Sequence, residues 1–157
     1  MRRTALALAT LLAAALTATP TRAQTAADSA GVRQAALDYL DGFYVGDSTL
    51  HVRSIRPEVY KYGFYRARDS VSYARGQQMT WTGFHDFTRR VKASGRAPQA
   101  SWPKDVRLLD MLDQTAAAKV TAWWGTDYLL MGRFDGRWMI THVIWQSPPP
   151  RGSAASR

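Results

Sequence analysis

The chain has 157 residues, 46% hydrophobic and 11% aromatic, with 21 Lys and Arg against 12 Asp and Glu. That length holds one compact domain, and that apolar content excludes a disordered chain. The absence of cysteine excludes a disulfide framework, a zinc–thiolate or iron–sulfur site and a thiol nucleophile.

Residues 1–23 read as a secretory signal peptide. Arg2 and Arg3 precede an Ala/Leu run from Ala5 to Ala18, and Pro20, Thr21, Arg22 and Ala23 form a small-residue junction ahead of Gln24. A membrane anchor would need about 20 strongly apolar residues, so no stable anchor is expected. The expected location is periplasmic or secreted, after cleavage near Ala23. Losing three arginines with this segment lowers the formal charge from +9 to +6. The remaining basic residues are scattered and Arg89-Arg90 is their longest run. No nucleic-acid partner is expected from that pattern.

Asp28 or Ser29 is placed to cap a helix opening near Val32. Its apolar stripe is Val32, Ala35, Ala36, Tyr39, Leu40 and Phe43, and Gly46 can end it. Asp47 caps a short second helix through Ile55, which Pro57 prevents from continuing. Val59 to Ala67 is a strand by its Tyr and Phe content. Arg68-Asp69-Ser70 reads as a turn, and Val71 to Ala74 as a short returning strand. Thr80 caps a third helix with the stripe Phe84, Phe87 and Val91, closed by Gly95. After a loop from Ser94 to Pro103, strands follow at Val106–Leu112, Ala117–Trp124, Asp127–Phe134 and Trp138–Gln146. Asp135-Gly136 is a strong two-residue hairpin signal. Residues 147–157, rich in Pro, Gly and Ser, read as a disordered tail. The expected class is α+β, with three N-terminal helices packed on a curved antiparallel sheet shaped as a cone.

Three stretches resemble the nuclear transport factor 2-like superfamily: Ala36 to Asp47, Gln78-Met79-Thr80 and Phe134 to Trp145. More narrowly, they resemble its SnoaL-like branch labelled putative lumazine-binding. The resemblance spans about Val32 to Gln146, within a domain of residues 24–146. It implies a cone of the cystatin-like type, a pocket between sheet and helices, and a homodimer formed through sheet faces. Relatives often carry His-Pro after the second helix; this chain has Arg56-Pro57, so no role for that histidine carries over.

The candidate pocket residues are Tyr39, Phe43, Tyr62, Trp123, Tyr128, Trp138 and His142, walls suited to a flat apolar or aromatic ligand. Core packing is the competing explanation for these aromatics, and Trp81, Trp102 and Trp145 read as a subunit contact. His142 alternates with Trp138, Ile140 and Ile144 along the last strand, and would face the cone as an acid or base if that face points inward. A buried structural histidine is the alternative. Asp127 is either a proton acceptor beside an apolar pocket or a turn cap. His51 is expected near solvent, and His85-Asp86 is no dyad because adjacent helical residues diverge. No ligand spacing for a metal, phosphate loop or Gly-x-Ser-x-Gly elbow occurs, and no cofactor is implied. The favoured function is non-catalytic binding of a small molecule. A dehydratase, isomerase or cyclase using His142 and Asp127, and a structural dimer without a pocket, are the alternatives.

Overall fold

The computed structural model describes residues 25–67 and 70–150. The signal peptide, Arg68-Asp69 of the expected turn and residues 151–157 lie outside the described residues. The helices are α1 (Ala26–Val45), α2 (Ser48–Ser54) and α3 (Trp81–Ala93). The strands are β1 (Ile55–Tyr65), β2 (Ala74–Arg75), β3 (Asp105–Met111), β4 (Thr115–Ala122), β5 (Gly125–Phe134) and β6 (Arg137–Gln146).

Helix α1 starts well before Val32, and Thr25 rather than Asp28 or Ser29 is its cap. Thr25 accepts from the Asp28 backbone while the Asp28 carboxylate accepts from Thr25 N–H, a reciprocal box that satisfies two end donors. Asp28 therefore belongs to the first turn. Gly46 ends the helix in the left-handed conformation at φ 67°. The Asp135-Gly136 hairpin forms as expected, both residues having positive φ.

The six strands make one sheet in the order β2-β1-β6-β5-β4-β3. The β3–β6 meander is antiparallel throughout, but β1 and β6 run parallel. Hairpin logic governs only neighbours in sequence, whereas β1 meets β6 across most of the chain. Register shifts interrupt β1 between Ile55 and Tyr60, β3 between Leu108 and Asp110, and the β5–β6 pair at Leu130/Met131. Such bulges bend strands and raise their twist, which curls the sheet around α1. Its concave face buries Val32, Leu40, Ile55, Phe84, Leu129 and Ile140 completely. Ser147 does not leave the fold at once. Its N–H donates to Phe64 and its hydroxyl accepts from Arg66 N–H, so the first tail residue prolongs the β1–β6 pairing.

His51 is fully buried, not near solvent. Its ring lies 4.4 Å from the Phe43 ring and 5.5 Å from the Phe84 ring, against the bare backbone of Gly42. A Cβ at Gly42 would stand 2.3 Å from His51 Nε2. Gly42→Ala is therefore expected to lower stability by about 1–3 kcal/mol, the usual cost of overpacking. An unchanged urea midpoint would refute this close seating.

Candidate functional site

A lysine lies inside the cone. Val59, Lys61 and Gly63 alternate onto the concave face of β1, and the Lys61 side chain is 6% exposed. Its Nζ donates to the Tyr39 hydroxyl at 2.5 Å and stands 3.7 Å from Asp127 Oδ2. The rings of Tyr39, Phe43 and Phe84 surround the amine at 4.9, 4.7 and 5.5 Å from their centroids, within cation–π range. Asp127, fully buried on β5, accepts from the Tyr39 hydroxyl and from Trp124 Nε1 at 3.0 Å. Both carboxylate oxygens are thus engaged. Burial pushes the Lys61 amine below the ordinary lysine value, opposed by the Asp127 charge. Burial and then the Asp127 charge push the Tyr39 phenol well above its usual 10.0. Desolvation lowers His51 to about 4.

Above this network opens a cavity of about 190 Å³. Phe43 of α1, Phe87 of α3, Trp123 and Trp124 of the β4–β5 turn and Trp145 of β6 wall it, with Lys61 at one side. Gln77 and Met79, between β2 and α3, complete the lining. Trp145 fits because Gly63 has no side chain. A Cβ there would lie 2.1 Å from the Trp145 carbonyl and 2.5 Å from its ring.

This helix–sheet arrangement is also what the comparisons with known proteins return. A family model described as "Putative lumazine-binding" matches residues 27–146, from α1 to the end of β6. The chain belongs to the Putative lumazine-binding family. No curated protein matches it. Among solved structures, a nuclear transport factor 2-like protein of unknown function from Shewanella baltica OS155 aligns with a TM-score of 0.60 at 17% identity, over 80% of this chain and 98% of that one. One from Methylobacillus flagellatus KT aligns at 0.54 and 17% identity, over 80% and 95%. A protein of unknown function with a cystatin-like fold from Nostoc punctiforme PCC 73102 aligns at 0.53 and 12% identity, over 80% and 95%. At these identities the likeness is one of fold.

Within this family fold, the candidate residues separate into three groups. Phe43 and Trp123 line the cavity; Tyr39 lies beneath it, in contact with Lys61 and Asp127. Tyr62, Tyr128 and His142 are on the outer face instead. The bulge at Thr141 is the reason for His142. Met131 pairs with Ile140 but Leu130 with His142, so the alternation inverts after Ile140. His142 and Ile144 turn outward, and Val143 and Trp145 inward. His142 and Asp127 therefore occupy opposite faces and form no acid–base pair, and Asp127 is tied to Tyr39 rather than capping a turn. Trp138 sits at the far end, against Gly31 in a separate cleft with Asp28 and Arg53. Trp145, expected at a subunit contact, is a cavity wall.

Lys61, Met79, Phe87 and Trp124 were not among the candidates. Alternation offered a signal for Lys61: if Tyr60, Tyr62 and Phe64 face outward, Lys61 must share the inner face with Val59.

Removing one member of a buried ion pair leaves the other charge uncompensated, at a typical cost of 3–5 kcal/mol. Asp127→Asn is expected to lose about 3 kcal/mol in urea unfolding, and adding Lys61→Met to recover part of it. A purely additive double variant would contradict the coupling. His51 gives a second test. With the folded value near 4 and the unfolded one near 6.5, the unfolded state binds more protons between them. Stability is expected to fall as pH drops from 6.5 toward 4, by about 3 kcal/mol in total. His51→Leu should flatten that slope; an unaltered slope would disprove the assignment.

Proposed function

We propose that this protein binds a small, flat, largely apolar molecule in the cavity beside Lys61 and does not transform it. The observation that carries this reading is a wall of Phe43, Phe87, Trp123, Trp124 and Trp145 around a space that holds one buried amine. At about 190 Å³ the space is below the ~300 Å³ at which drug-sized sites begin, which favours a ligand of one or two fused rings. Lys61 already faces Asp127, so the inner end is close to charge-neutral. A neutral acceptor, such as a ring carbonyl, suits it better than a second carboxylate. The family description, putative lumazine-binding, agrees with a flat ring ligand.

The same reading has the protein exported after loss of residues 1–23 and paired with a second copy through the outer sheet face. That face leaves Tyr60, Phe64, Tyr128, Leu130 and Ile144 exposed, more apolar surface than isolated side chains usually present.

Titration with 2-naphthamide, followed by tryptophan fluorescence, tests the pocket. The ligand is expected to quench the native protein, and Trp145→Ala to weaken binding about tenfold through loss of a stacking wall. The outer-face variant Leu130→Ser should bind as the native protein does. Absence of saturable quenching would overturn the reading.

A further inference from the structure

Beyond Phe87 and Trp123 lies a second cavity of about 230 Å³. It shares Phe43, Phe87 and Trp123 with the first, so the two spaces adjoin along these side chains. Trp123 is 47% exposed and leans on Trp102, ring centroids 5.6 Å apart. Arg90 and Arg96 stand at the rim of the second space, and the Arg90 guanidinium lies 5.7 Å over the Phe87 ring.

Charge is distributed unequally between the two ends. Lys61 has Asp127 inside. On the helical side, Asp86 is paired with Arg89 and Asp41 with Lys104. Arg90 and Arg96 have no carboxylate partner among the described residues. An apolar cleft therefore ends at two guanidiniums that have no carboxylate partner among the described residues, groups whose planar fork matches a carboxylate.

We propose that the two cavities form one ligand site and that its ligand class is an aromatic carboxylate. The ring lies against Phe43, Phe87 and Trp123, and Arg90 and Arg96 hold the acid group. This rests on the pocket reading above and adds the ligand's charge and orientation.

The test compares 2-naphthoate with 2-naphthamide, which differ in charge but hardly in shape, by tryptophan fluorescence. The acid is expected to bind the native protein about tenfold more tightly at low salt. Arg90→Gln/Arg96→Gln, both exposed positions, should bring the acid and the amide to equal affinity. Raising the salt to ~0.5 M should also shrink the difference, since these charges face water. Equal affinity for acid and amide in the native protein would overturn the proposal and leave the pocket reading intact. A preference that survives in the double variant would overturn it too, as would its loss in Lys61→Met/Asp127→Asn, which removes the inner amine together with its counter-ion. Binding of neither compound would remove both readings.

Discussion

Burying the Lys61 ammonium forfeits hydration worth several kcal/mol, and the surrounding fold has to replace it. Three elements far apart in sequence do so. Tyr39 comes from α1, Asp127 from β5, and the aromatic cage from α1 and α3. Each depends on the others. The Tyr39 hydroxyl accepts from Lys61 and donates to Asp127, so losing it would open both contacts. The same carboxylate holds the Trp124 indole, a wall of the cavity. The shape of the cavity is thereby tied to a buried polar network, where geometry is strict because unmet partners are expensive.

The second constraint is the set of bulges. If Thr141 were paired in regular register instead of bulged out, His142 would point into the cone and Trp145 away from it. With the bulge, the inner end of β6 presents Val143 and Trp145, and the cavity becomes an aromatic box instead of a histidine site. Gly63 makes the matching concession on β1, since any side chain there would collide with Trp145. One bulged residue and one missing side chain thus decide the chemical character of the site. They line the inner end of the site with ring faces and leave His142 outside it.

The electrostatic layout follows the same separation of inside from outside. Inside, cation and anion are fixed together and shielded from water. At the helical rim, acidic residues are taken up by Arg89 and Lys104, and two arginines are left facing the solvent. A molecule approaching the proposed site from this side would meet two arginines without a carboxylate partner among the described residues, and then a charge-balanced aromatic interior. Such a gradient would attract an anionic molecule and orient it.

The order of elements, most helix ends and the Asp135-Gly136 hairpin were legible in the sequence because local chemistry sets them: a capping side chain, a glycine at positive φ, an apolar stripe. Phe43 reaches the cavity from the inner stripe of α1, whereas Trp123 reaches it from the β4–β5 turn and stays 47% exposed. Lys61 was hidden among the tyrosines of β1, His142 was assigned to the wrong face, and His51 was placed in water. Local pattern fixes which side chains share a face, but a single bulge reverses that assignment for everything beyond it. Whether a charged residue can be buried depends on partners that only folding brings near. The sequence alone determined the cone and its helices. The tertiary structure decided what fills the cone, because that depends on the parity of a bulge and on a counter-ion 66 positions away along the chain, from Lys61 to Asp127.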